Sequence, residues 1–167
     1  MLAIGIDPGT AITGYGFVQE NEDGSLLVVD SGAILTAANM PMPERLLELY
    51  RQLHEQLLLH HPQSGAVEKL FFQRNVRTAL AVGQARGVAL LALAEANIPI
   101  MEYTPLEVKQ AVAGYGGADK NQVQQMVKAL LGLPDIPRPD DVADALAVAI
   151  CHIHSSRSQA FYQEQEQ

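Results

Sequence analysis

The chain has no tryptophan, a single cysteine and only 5% aromatic residues. One thiol, Cys151, excludes an intrachain disulfide, and a chain without disulfides is expected in a reducing cytosol. No apolar run approaches the ~20 residues needed to cross a bilayer, so no membrane association is expected. The chain opens directly on a strand-like run, Met1 to Ile6, without the basic region and cleavage site of a signal peptide. Positive charge is scarce as well: 11 Lys and Arg stand against 19 Asp and Glu, a net charge of -8. That total argues at first against a polyanionic partner, but its distribution does not. Residues 69–128 hold seven cations (Lys69, Arg74, Arg77, Arg86, Lys109, Lys120, Lys128) and four anions (Glu95, Glu102, Glu107, Asp119), a local +3 that leaves -11 on the remainder. Phosphate binding follows the local field rather than the total. On composition alone, ordinary scatter of solvated charge accounts for the pattern equally well.

What the chain does have is enough apolar material, 48% of 167 residues, for one core and little room for a second domain. Met1 to Asp7 reads as a buried strand, followed by the turn Asp7-Pro8-Gly9-Thr10 and two more strands, Thr13 to Glu20 and Leu26 to Leu35. The short connections allow only an antiparallel meander. Pro43 opens a helix to His60, with Leu46, Leu49, Tyr50, Leu53 and Leu57 at helical spacing. A short apolar strand, Gly65 to Leu70, a long helix, Val76 to Ala96, and a strand, Ile98 to Tyr103, follow. Thr104-Pro105 is an N-cap followed by a first-turn proline, and Asp119 with Gln122 is a capping box. An Ala-rich helix from Asp140 to His154 closes a domain of residues 1–155, and residues 156–167 form a polar tail expected to be flexible. Three strands, then alternating helices and strands, give an α/β fold around a mixed five-stranded sheet flanked by helices. By analogy of element order this is the ribonuclease H-like architecture.

Four carboxylates carry the chemical signal. Asp7 ends an apolar strand, where capping a turn is as good an account as ligation. Glu68 sits within a short apolar strand, where it is costly to bury unless paired or metal-bound; an edge strand facing solvent would also accommodate it. Asp140, Asp141 and Asp144 open the last helix, and Asp140 is best placed to cap it. Asp141 and Asp144 share one face, and capping explains Asp144 poorly because it lies deeper, amid Val142, Ala145 and Leu146. The alanines at 143, 145, 147 and 149 let this helix approach the sheet. As a set, two strand-borne and two helix-borne acids form an oxygen cage suited to Mg2+ or Mn2+. Two such ions roughly 3.5–4 Å apart clamp the attacking and leaving oxygens of an in-line displacement at phosphorus, the chemistry of a nuclease.

Five segments run in order from residue 1 to about 154. The first two are Gly5-Ile-Asp-Pro-Gly-Thr-Ala-Ile-Thr-Gly-Tyr-Gly16 and Val67-Glu-Lys-Leu-Phe-Phe72. The others are Gly83-Gln-Ala-Arg-Gly87, Val108-Lys-Gln-Ala-Val-Ala-Gly-Tyr-Gly116 and Ala143-Asp-Ala-Leu-Ala147. With these segments the sequence resembles bacterial Holliday-junction resolvases of the RuvC type. The resemblance implies that Asp7, Glu68, Asp141 and Asp144 are the family's metal-binding acids. It also implies a homodimer that cuts opposing strands of a four-way DNA junction beside a branch-migration motor of the RuvA and RuvB type. It places an aromatic for base stacking at Phe71, with Phe72 as packing. Lys109 and Lys120 are candidate phosphate contacts, the latter at a helix N-terminus; Arg74 and Arg77 are weaker candidates. Relatives carry His in some cases at the position of Asp141, and commonly Gln or Glu at that of Lys69.

Two alternatives stand beside this reading. Asp7-Pro-Gly-Thr10 also fits the first phosphate loop of an ATP-binding domain of the actin and sugar-kinase type, although that architecture needs two such domains. A non-catalytic junction-binding module is the other, and four intact carboxylates speak against it.

Overall fold

The computed structural model describes residues 1–69 and 76–165. Three strands open it: β1 (Leu2–Asp7), β2 (Ile12–Glu20) and β3 (Leu26–Leu35). They form the expected antiparallel meander, β1 on β2 with Gly5 opposite Gly16 and Asp7 opposite Gly14, and β2 on β3 with an irregularity at Phe17/Val18. Helix α1 (Met42–His60) then crosses to β4 (Ser64–Glu68), and α2 (Val76–Glu95) to β5 (Ile100–Tyr103). Both later strands join in parallel, giving the order β3-β2-β1-β4-β5. Helices α3 (Pro105–Ala113), α4 (Lys120–Leu130) and α5 (Asp140–Gln165) follow.

Strand alternation divides the apolar residues between two layers. Ile4, Ile6, Phe17 and Val67 face α1 and α2, where Leu49, Leu53, Leu57, Ala85, Ala89 and Leu93 close one core. Ala3, Val18, Ala66 and Tyr103 face α5, α3 and α4 and form the second with Val108, Val123, Leu146 and Ile150. Both helix-start signals read from the sequence are present: Thr104 and Asp119 each complete a capping box, with Glu107 and Gln122 respectively.

Three expectations need correction. Strand β5 begins at Ile100 rather than Ile98, because Asn97 takes a left-handed conformation (φ 56) and Ile98 ties its amide back to Leu93. Strand β4 stops at Glu68. The last helix does not end at His154 but continues to Gln165. Arg157 joins this extension to the end of β2, its Nε 2.9 Å from Oε1 of Glu20. Among the described residues no helix is long and apolar enough to cross a membrane.

Helix α5 lies unusually close to the sheet, for a reason written in both surfaces. Ala143, Ala145, Ala147 and Ala149 are all buried. Opposite them the strands present glycine. A Cβ on Gly5 would come within 2.1 Å of the Ala145 carbonyl oxygen and 2.5 Å of the Ala149 nitrogen. One on Gly14 would come within 1.9 Å of the Asp141 carbonyl oxygen. Backbone thus rests on backbone, and neither side has a flexible group that can yield. We expect Gly5→Ala to displace α5 and to destabilise the fold by at least about 1–3 kcal/mol, the usual range for overpacking. A lowered urea midpoint with unchanged m-value is the measurement.

Candidate active site

The parallel β1–β4 ladder is registered up to the pair Ile6–Val67. One step further, Asp7 and Glu68 end their strands side by side. Alternation turns both toward the α5 face, following Ala3 and Gly5 on one strand and Ser64 and Ala66 on the other. Strand β4 lies between β1 and β5, so the solvent-facing edge that would have excused Glu68 does not exist. Helix α5 begins over the same strand ends, with the Asp141 backbone resting on Gly14. The charges of Asp144, Glu68 and Asp141 all act on Asp7. Asp7, Glu68 and Asp144 line one cleft together with Lys109, Lys120 and Val108.

Like charges in a partly buried cleft are expensive to keep ionised. Burial, then the negative charges of Asp144, Glu68 and Asp141, push the Asp7 carboxyl up to about 7, a rise that Lys120 partly offsets. Glu68 is raised by burial and by Asp144, with Lys109 acting against the rise. Asp144 is raised mainly by burial, which the ammonium of Lys120 opposes. As the side chains stand, no three His, Cys, Asp or Glu among the described residues are gathered closely enough to hold a metal ion. The donor set is nonetheless all oxygen and its charge is under-compensated, which is what a hard divalent cation requires.

Lys120, a candidate phosphate contact, stands among the acids in this structure. Its Nζ lies 3.0 Å from Oδ2 of Asp144 and 3.4 Å from Oδ2 of Asp140. It serves as an internal counter-ion to the acids. Asp140 is not the free cap expected of it; it is the first residue of α5 and engages Lys120 and Arg138. Lys109 lines the cleft, close enough to Glu68 to act on its charge. Phe71, Phe72 and Arg74 lie outside the described residues, as does the side chain of Arg77 in the first turn of α2. Thr13 was not singled out from sequence, yet it is fully buried and closes the turn after Asp7, donating to the Gly9 carbonyl at 2.7 Å and accepting from the Gly9 amide at 3.2 Å. A buried threonine four residues after a glycine turn was the available signal. His152, Cys151 and His154 form no metal cluster: His152 is buried between Tyr103 (2.9 Å) and Ser64 (2.8 Å), while His154 faces the Ala111 carbonyl.

A mixed sheet in this order, with acids at the ends of its first and fourth strands beneath the first turns of a closely packed helix, defines a nuclease of the ribonuclease H-like class. The family described as crossover junction endodeoxyribonuclease RuvC matches residues 3–152. The chain is 62% identical over 156 residues to the protein of that name from Chloroflexus aurantiacus, spanning 93% of this chain and 94% of that one. It is 61% identical over 155 residues to that of Desulfitobacterium hafniense, spanning 93% of each. Among solved structures it is similar to Thermus thermophilus RuvC in complex with a Holliday junction substrate, with TM-score 0.90, 38% identity, and 95% and 96% of the two chains covered. This chain belongs to the RuvC family. The actin and sugar-kinase reading is thereby set aside.

Crowded acids have a thermodynamic signature. A carboxyl raised in the folded state binds its proton there at pH values where the unfolded chain has lost it. The contribution of Asp7 to stability therefore falls as pH rises from about 4 to about 7 and stays low above that. Metal-free Asp7→Asn escapes the penalty. At pH 8 in chelator it should be more stable than the wild type by about 1–3 kcal/mol, with the advantage shrinking as pH falls toward 4. Paired thermal melts across that range are the check.

Proposed function

We propose that this chain resolves four-way DNA junctions by hydrolysing one phosphodiester in each of two opposing strands, using Asp7, Glu68, Asp141 and Asp144 to hold two Mg2+ ions, with Mn2+ able to substitute. The observation that carries this reading is the convergence of negative charge on Asp7 from Glu68, Asp141 and Asp144 at one strand edge. When bound there, the divalent cations supply an activated water and charge neutralisation at the scissile phosphate. Everything else falls to the protein. Asp7 and Glu68 end adjacent strands, Asp7 opposite Gly14 of β2 and Glu68 beside Tyr103 of β5. Asp141 and Asp144 are held by the glycine-seated helix. Lys109 lines the cleft beside Glu68 and is placed to meet a phosphate. Lys120, which pairs with Asp144 and Asp140 at the same cleft, would supply a second cation for the DNA backbone there. Phe71, with Arg74 and Arg77, is proposed to engage the unpaired bases and backbone at the crossover, on the strength of the family resemblance.

Symmetric cutting calls for a two-fold dimer, because each chain carries one site and the junction presents two equivalent strands. We place the interface on the outward face of α2. Leu80 and Leu91 are 65% and 60% exposed there, and Gly87 between them has open space where a Cβ would be. Bulky apolar residues flanking a bare stretch of backbone suit the close approach of a second helix. The proposal includes a branch-migration complex of the RuvA and RuvB type as partner, again by family resemblance.

Asp7→Asn, Glu68→Gln, Asp141→Asn and Asp144→Asn should each lose cutting of a labelled junction in Mg2+ by at least about 100-fold, as loss of an essential metal ligand would, while still binding the junction in chelator. Near-normal cutting by any two of them excludes this four-acid site. Leu91→Glu should shift the protein toward monomer in sedimentation and turn paired cuts in a cruciform plasmid into single nicks. Undiminished paired cutting by a monomer would rule out the dimer.

A further inference from the structure

The segment Gly83-Gln-Ala-Arg-Gly87 contains one charged side chain that the site described above does not use. Arg86, on α2, reaches across to the far end of the sheet. Its Nη2 lies 2.5 Å from Oε2 of Glu102 on β5, and its Nε donates to the backbone carbonyl of Glu68 on β4 at 3.4 Å. The guanidinium is 18% exposed. One planar group therefore binds a helix to the last turns of two parallel strands, and the carbonyl it holds belongs to the residue whose carboxylate enters the cleft.

We propose that Arg86 is a positioning residue for Glu68, fixing the end of β4 so that its carboxylate stays aimed at the metal site. The proposal rests on the reading of Glu68 as a metal ligand. Glu68 needs such an anchor. It is the last residue of its strand, and among the described residues the β4–β5 pairing continues beyond it only through the Lys69 amide to the Tyr103 carbonyl, at 2.7 Å. Its carboxylate has no hydrogen-bond partner among the described residues, while the like charge of Asp144 pushes against it. The direction of that side chain is then set by its own backbone, and Arg86 holds the backbone from the side opposite the cleft.

The geometry explains why arginine is used. A rigid fork can serve two acceptors in fixed directions at once, the Glu102 carboxylate and the Glu68 carbonyl. A lysine would keep a charge beside Glu102 but not both directions. The pair with Glu102, which is 38% exposed, contributes little to folding. Loss of Arg86 should therefore appear in metal binding more than in melting temperature. Groups behind metal ligands typically alter affinity by about 10- to 100-fold when removed.

The test uses the full chain without DNA, titrated with Mn2+ in a calorimeter, together with thermal melts and junction binding in chelator. Arg86→Gln should weaken Mn2+ binding by about 10-fold or more while leaving junction affinity unchanged and melting little altered. Arg86→Lys should recover only part of the Mn2+ affinity, and Glu102→Gln should lose less than Arg86→Gln. Wild-type Mn2+ affinity in Arg86→Gln overturns the proposal. So does full recovery in Arg86→Lys, which would make charge alone sufficient, and so does loss of junction affinity with metal binding intact, which would make Arg86 a DNA contact. Glu68→Gln separates the two levels of inference. If it weakens Mn2+ binding and Arg86→Gln does not, only the positioning role falls; if Glu68→Gln binds Mn2+ as the wild type does, Glu68 is not a ligand and both fall.

Discussion

Direct contact between the backbone of α5 and the backbone of β1 and β2 governs the geometry of this molecule. Gly5 and Gly14 leave no side chain between strand and helix, and the alanines of α5 leave almost none on the other side. Ordinary sheet–helix packing interposes two layers of side chains, whose rotamers can adjust. Here there is nothing to adjust. The first two turns of α5, with Asp141 and Asp144, are consequently fixed relative to Asp7 by contacts between main-chain atoms. A site that needs carboxylates held within a fraction of an ångström gains more from such rigidity than from any single hydrogen bond.

That rigidity works against electrostatics. The closer α5 lies, the more strongly its acids repel Asp7, and this repulsion adds to burial in pushing the Asp7 carboxyl up. The apolar layers on either side of the sheet must supply the excess stability that the strand edge spends. Two lysines reduce the cost without removing it: Lys120 by direct pairing with Asp144, and Lys109 by its field on Glu68. Neither lysine replaces a divalent cation, because a single charge on a flexible stem cannot serve several carboxylates at once. The cleft is thus built for a ligand of higher charge than its own side chains carry.

The periodic elements were legible in the sequence because each is governed by local rules. Apolar runs between turn signals marked β1 to β3, a leucine repeat marked α1, and Thr104 and Asp119 marked two helix starts through hydrogen bonds made within four residues. What was not legible depends on groups far apart in the chain. Lys120 looked like a solvent-facing phosphate contact because its partner Asp144 is 24 residues away. Arg86 looked like one more surface cation because its acceptors, on β4 and β5, are brought to it only by the parallel crossovers. The continuation of α5 beyond His154 was missed for a different reason. Its polar composition reads as a tail, but Arg157 finds Glu20 at the end of β2, a contact between residues at opposite ends of the chain.

An acidic chain that acts on a polyanion presents a problem of field shape rather than of net charge. The total of -8 includes the carboxylates that crowd the cleft, and cations bound there would cancel that part locally. Lys109 and Lys120 stand at the same cleft, and Arg74 and Arg77 follow β4 closely in sequence. On the proposed reading, cations held by the acids would leave Lys109 and Lys120 as the uncompensated charge at this cleft. Metal loading and junction binding would then favour one another, because each would relieve the charge that opposes the other.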